Sequence, residues 1–274
     1  MTGVAGRLRD RVAIVTGGGS GIARATAHAF AREGASVVVL EIDQASGRAV
    51  EGELREITPN AVFVRTDVTD PEQVRQAVDG TVQRFGQLDV LFNCAGGSVL
   101  EDAMVHEMDV GVWQRTMALN LLGPFLCCRH ALPHMLRRRR GSIVNMSSHV
   151  SLVASLRPVY ASAKGGINSL TRSLAAQYSR HGIRANAIAC GTVRSPRMQG
   201  QVAQVAKTGG VNREAAERAM LAELYPFSVG EPEDVAAVAV FLASDEARMV
   251  NGTTLAAEGG RSAYLRVTVP DEGG

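Results

Sequence analysis

Six short runs rich in Val and Ile, apolar at nearly every position, recur along this chain with longer amphipathic segments between them. The runs are Val12 to Val15, Val37 to Leu40, Ala61 to Val64, Val90 to Phe92, Ile143 to Met146 and Ile183 to Ala189. Segments so short and so uniformly apolar fit strands covered on both faces. Between them, Gly21 to Arg32, Pro71 to Phe85 and Val159 to Tyr178 repeat apolar residues every third or fourth position, the period of a helix packed on one side. Such alternation predicts a parallel sheet with right-handed crossovers and helices on both faces. Punctuation agrees: Asp70-Pro71 and Glu231-Pro232 read as helix starts, Gly34 and Gly86 as helix stops.

A chain of 274 residues can form one such domain, expected over residues 1–262. Hydrophobic residues make up 46% but aromatics only 4%, so small side chains must fill the helix–sheet contacts. Two regions break the rhythm. Residues 195–229 are polar and helix-prone from Arg213 to Leu224, and suit a substrate lid; 263–274 form a patternless tail.

The 29 basic and 27 acidic residues leave a formal charge of +2, which argues against nucleic acid or a membrane surface as partner. The N-terminus has no apolar run resembling a signal peptide, and no stretch matches a membrane helix. Cys94, Cys127, Cys128 and Cys190 form no CxxC pair and read as buried reduced thiols, so a cytoplasmic location is expected. His130 and His134 share helical spacing but have no carboxylate with them, so no metal site is expected. Arg137 to Arg140 reads as a solvated helix end whose charge suits the dipole.

The first strand runs directly into Thr16-Gly17-Gly18-Gly19-Ser20-Gly21-Ile22-Ala23 and then a helix. The spacing is T-G-x-x-x-G-x-A. Glycines let backbone N–H groups approach a pyrophosphate, and the helix N-terminus adds positive potential. Candidate cofactor contacts are Gly17, Gly19, Ser20, Gly21 and Ile22. The second strand ends at Glu41, twenty residues beyond Gly21, where a carboxylate would accept from a ribose 2′-hydroxyl and repel a 2′-phosphate. NAD is therefore expected over NADP. Asp67 and Val68 follow the third strand, and Asn93, Ala95 and Gly96 stand after the fourth, where open parallel sheets bind ligands.

Tyr160 and Lys164 stand at i and i+4 near the start of a helical segment, so both can enter one cleft. A phenol with a pKa near ~10 is a poor base at neutral pH, and a nearby ammonium favours its anion. Such a tyrosine can take a proton from an alcohol or give one to a carbonyl. Ser148, at the end of the fifth strand and twelve residues before Tyr160, can hold the same oxygen; Ser147 is the alternative. Asn120 lies among leucines in a helical segment from Val110 to Arg138 and needs polar partners there, a relay water to Lys164 being one candidate and a kink before Gly123-Pro124 another setting.

In this combination the chain resembles the short-chain dehydrogenase/reductase family over residues 8 to 262. The glycine loop, the NxAG segment at Asn93, the Asn–Ser–Tyr–Lys set, "GIRANAI" and "GEPEDVAAVAVFLASDEARMVNG" appear in order. The resemblance implies a Rossmann-like, doubly wound sheet of seven parallel strands in order 3-2-1-4-5-6-7. It implies catalytic roles for Asn120, Ser148, Tyr160 and Lys164, cofactor contacts that include Tyr160 and Lys164, and the Gly191, Val193 and Ser195 loop around the nicotinamide carboxamide. It also implies a homotetramer or homodimer. Departures are Ala23 for a glycine, Cys190 for a proline, Glu258 for an aspartate and a Ser–Tyr spacing one residue short.

The expected activity is NAD(H)-dependent hydride transfer between nicotinamide and a small-molecule secondary alcohol or ketone. A member that binds the cofactor without catalysis is the rival reading, and an epimerase or dehydratase a more distant one. The substrate pocket should draw on 97–100, His149 to Arg157 and the lid from Ser195 to Phe227, with Val99, Val150, Leu152, Val153, Met198 and Leu221 as lining. Arg157 and Arg194 are candidate anion partners. A cyclic alcohol, a hydroxysteroid, a sugar derivative or a 3-oxoacyl thioester would each suit.

Overall fold

Residues 6–99, 101–222 and 229–263 are described by the computed structural model. The apolar runs form the strands β1 (Val12–Thr16), β2 (Ser36–Glu41), β3 (Ala61–Arg65), β4 (Val90–Asn93), β5 (Gly141–Ser148) and β6 (Ile183–Cys190), joined by a short edge strand β7 (Thr254–Ala257). All pair in parallel, in the order β3-β2-β1-β4-β5-β6-β7. The family-implied architecture is what the chain adopts. The seventh strand escaped the reading of apolar runs because it has four residues, none of them fully buried.

Alternate strand residues serve opposite faces of the sheet. Ala13, Val15, Val37, Phe92 and Val144 face a layer built from helices α1 (Gly21–Arg32), α2 (Gln44–Arg55) and, at the far end of the chain, Pro232–Ala243. Phe30 of α1 meets Phe92 edge-on, with ring centroids 6.1 Å apart. Ala23 is buried in this layer, so its methyl is absorbed into helix–sheet packing. Ile14, Val38, Leu91 and Ile143 face the second layer, made by α3 (Pro71–Phe85) and by long helices later in the chain.

Helix limits follow local chemistry. The Asp70 carboxylate accepts from the backbone N–H groups of Glu72 and Gln73, and Gly86 ends α3 in the left-handed region at φ 76°. Arg137 and Arg138 occupy the last turn of their helix, as read.

The segment from Val110 to Arg138 departs from expectation. It is not one α-helix but α4 (Val110–Met117), a π-helical turn (Ala118–Leu122) and α5 (Gly123–Arg138). The break falls at Asn120, before Gly123-Pro124, in the setting offered for a kink. After α6 (Pro158–Tyr178) and β6, the polar insertion forms α7 (Pro196–Gly209) and α8 (Arg213–Ala222), and α9 is Pro232–Ala243. Leu100, the end of the insertion through Leu224 and Phe227, and residues 264–274 lie outside the described residues. Among the described residues no helix is long and apolar enough to cross a membrane. No group of three or more His, Cys, Asp or Glu among them could hold a metal.

Candidate active site

The carboxyl ends of the strands open into one cleft of about 810 Å³ that runs from Leu40 and Glu41 at one end to Val153 and Arg157 at the other. Most residues singled out in the sequence line it.

At the first end the wall is backbone. Gly17 turns at φ 69°, and a Cβ there would fall 2.8 Å from Ala95 Cα, so no side chain fits. Thr16 Oγ1 accepts from the N–H groups of Cys94 and Ala95, each at 3.0 Å, and ties the turn after β1 to the loop after β4. Ser20 is the extended N-cap of α1, yet its hydroxyl makes no capping bond. The first-turn N–H groups are therefore left without a side-chain acceptor beside Gly21 and Ile22, which line the cleft.

Gly19 does not line the cleft; its N–H donates to Glu41 Oε2 at 3.0 Å. Glu41 Oε1 accepts from the N–H groups of Ile42 and Asp43, so three backbone donors fix this carboxylate at the cleft edge. Asp43 caps α2 by accepting from Ser46. Asp67, Val68, Ala95 and Gly96 line the wall between, with Asp67 Oδ1 holding Thr69 through its N–H and hydroxyl. Asn93 is a correction. Its side chain is buried in the sheet, where Nδ2 donates to Asn145 Oδ1 at 2.8 Å, and it does not reach the cleft.

The middle of the cleft brings Ser148, Tyr160 and Lys164 together. Ser148 ends β5, and Tyr160 and Lys164 share one face of α6. Asp102 sets where that helix begins, its carboxylate accepting from the N–H groups of Val159 (3.2 Å) and Tyr160 (3.0 Å), a contact sequence reasoning missed. The Ser148 hydroxyl and the Tyr160 phenol line the same part of the cleft, and the hydroxyl partly offsets the effect of burial on the phenol. Ser147 is instead engaged with Ser151 Oγ at 3.0 Å and the Lys164 carbonyl at 3.3 Å. Ser147 is thus occupied by these partners, whereas no partner of that kind engages the Ser148 hydroxyl among the described residues.

Lys164 Nζ lies 5.5 Å from the Tyr160 ring centroid and donates to the Met146 carbonyl at 2.9 Å. Burial lowers its pKa to about 8. Burial also pushes the phenol of Tyr160 upward, and the cation that opposes this is Arg197 rather than Lys164.

Asn120 is fully buried and does not line the cleft. Its Oδ1 accepts from the Gly97 N–H at 2.8 Å, and its Nδ2 donates to the carbonyls of Gly97 (3.1 Å) and Thr116 (3.0 Å). The direct partners of its side chain are backbone groups. The π-helical turn projects this carboxamide onto the loop after β4.

At the far end, Gly191, Val193 and Ser195 line the cleft as expected. Ser195 caps α7, accepting from the Met198 N–H, and its Cβ lies 3.5 Å from where a Cβ on Gly21 would be. Cys190 also lines the cleft, with its carbonyl 3.4 Å from His149 Nδ1. His149 lines the pocket, and burial pulls its pKa down to about 4. Arg157 lines it too, donating to Ser98 Oγ at 2.8 Å. Arg194 does not: it is bridged to Glu217 at 2.8 Å and Glu231 at 3.2 Å. Arg197, not singled out in the sequence, lines it.

The donor set fits a dinucleotide. An uncapped helix N-terminus beside a glycine turn suits a diphosphate, an anchored carboxylate suits a ribose diol, and a hydroxyl pair suits an alcohol or carbonyl oxygen.

Known proteins resemble the chain along most of its length. A family model described as enoyl-(acyl carrier protein) reductase matches residues 17–262. The chain is 40% identical over 256 residues to cis-4-hydroxycyclohexanecarboxylate dehydrogenase of Sinomonas cyclohexanicum, covering 93% of this chain and 97% of that protein. Levodione reductase superposes with a TM-score of 0.87 at 32% identity, covering 94% of this chain and all of that one (100%). A protein of Burkholderia xenovorans described as a short-chain dehydrogenase/reductase gives a TM-score of 0.87 at 34% identity, covering 95% and 100%.

Proposed function

This chain belongs to the short-chain dehydrogenase/reductase family, and on that premise we propose that it is an NAD(H)-dependent oxidoreductase interconverting a secondary alcohol and a ketone. The observation that carries the reading is the convergence of Ser148, Tyr160 and Lys164 in the cleft that the glycine turn opens.

Ser148 positions the substrate oxygen against the phenol of Tyr160. The neutral phenol is the acid that ketone reduction requires at that oxygen, and the same group receives the proton in the alcohol direction. Lys164, with its pKa lowered to about 8, gives up a proton far more readily than a solvated lysine and can restore one to Tyr160. When bound, the nicotinamide supplies or accepts the hydride. Gly17, Ser20, Gly21 and Ile22 would hold the diphosphate, with Asp67, Val68, Ala95 and Gly96 along the adenosine and Gly191, Val193 and Ser195 beside the nicotinamide. Asn120 acts by fixing the loop at Gly97, and Gly19 by bracing Glu41.

Glu41 supports NAD over NADP, because a carboxylate anchored by three N–H groups cannot withdraw from a 2′-phosphate. A cytoplasmic homodimer or homotetramer is supported by four free cysteines and by exposed Val110, Trp113, Leu122 and Phe125 along α4 to α5.

The test is turnover of a panel of secondary alcohols with NAD, read by absorbance of the reduced cofactor. Tyr160→Phe should lower kcat by about 100- to 10,000-fold without weakening NADH binding. Equal turnover by the variant would remove Tyr160 from the chemistry.

A further inference from the structure

Resting on that reading, we infer that the substrate carries a carboxylate, seated between Arg197 and Arg157 while its reacting oxygen meets Ser148 and Tyr160. Arg197 stands in the first turn of α7 with Nη1 3.4 Å from the Gly96 carbonyl. Its guanidinium lies directly over Gly97, where a Cβ would come within 1.7 Å of Nη1. The platform beneath it is rigid, because both backbone groups of Gly97 are bonded to Asn120. One residue further on, Ser98 Oγ accepts from Arg157 Nη1 at 2.8 Å. Two cations thus flank a three-residue loop at the mouth of the cleft; burial, and after it the charge of Arg157, disfavours charge on Arg197, while Tyr160 senses Arg197.

Neither guanidinium forms an ion pair with a carboxylate among the described residues, whereas Arg194, just before α7, holds two. The acidic residues that line the cleft, Glu41 and Asp67, belong to its opposite end. Asp102, near the start of α6, spends its oxygens on the N–H groups of Val159 and Tyr160. Like charges converging without a counterion are relieved by an anion that accepts from both, and the planar guanidinium fork matches a carboxylate. A cofactor diphosphate is the competing occupant, but the glycine turn and the open end of α1 already provide for it.

The experiment titrates the NADH complex of the full chain with acetate, butyrate, cyclohexanecarboxylate and benzoate, and with the amide of each, by calorimetry. At least one acid should bind about tenfold or more tightly than its amide. Arg197→Leu should cut that preference to about threefold or less, Arg157→Leu should reduce it less, and Arg197→Lys should keep part of it. Affinity for NADH should stay within about twofold in all three variants. The inference fails if no acid is preferred over its amide, if Arg197→Leu keeps the preference, or if that variant weakens NADH as much as the acid. Failure of the chain to bind NADH at all would instead overturn the reading beneath it.

Discussion

At the β1–β2 end of the cleft the binding groups are main-chain N–H donors and a carboxylate they hold in place. At the β5–β6 end they are side chains, and those that carry charge are basic: Lys164, Arg157, Arg197 and Arg261. The first end is built around one local unit, a strand, a glycine turn and a helix start, to which the end of β2 adds Glu41 and the loop after β4 adds Ala95. The second is assembled from α6, α7 and the loop after β4, and keeps an ammonium out of water where only one carbonyl receives it. A cleft divided in this way recognises one constant ligand by backbone shape and leaves the variable ligand to side-chain charge.

Reversing the charge at the first end is the largest challenge to that division. Glu41→Arg should shift the NADH/NADPH affinity ratio toward NADPH by about 10- to 100-fold, measured by quenching of protein fluorescence. An unchanged ratio would mean the carboxylate does not face the ribose.

At the second end, Lys164→Met should raise stability at pH 7 by about 1–3 kcal/mol while abolishing most turnover, as expected where function requires a desolvated charge. The sign follows from linkage. Burial lowers the folded-state pKa from 10.5 to about 8, so the folded chain is penalised below pH 8, and wild-type stability rises between pH 8 and 10.5. The variant should lose that rise in urea melts.

His149 gives a smaller effect of the same kind in acid. Its pKa falls from 6.5 to about 4 on folding, so stability is lost as pH drops from 6.5 to 4. Allowing for its partial exposure, His149→Gln should recover about 1–2 kcal/mol at pH 4 and little at pH 7.

The same division explains what was legible beforehand. Six strands, the glycine turn, Glu41 and the Tyr160–Lys164 face could be read because each depends on neighbours within a few residues. Arg197 could not, although it stands two residues past Ser195, because its position over Gly97 depends on how α7 packs across the cleft. Arg194 looked equally available until α8 and the start of α9 delivered Glu217 and Glu231 to it. Asn93 sits in a motif beside the cleft, but strand alternation turns its side chain toward Asn145 and the interior. The upward push on the Tyr160 pKa comes from burial, which spacing along one helix does not encode.

The π-helical turn at Ala118–Leu122 sets a rule about chain length. Such a turn is equivalent to one residue inserted into an α-helix, and each residue of a helix adds about 100° of rotation. Deleting Ala118 or Leu119 would let α4 and α5 fuse into a single rod and swing Asn120 about a quarter-turn away from Gly97. In that stretch the residue count matters as much as the carboxamide at Asn120.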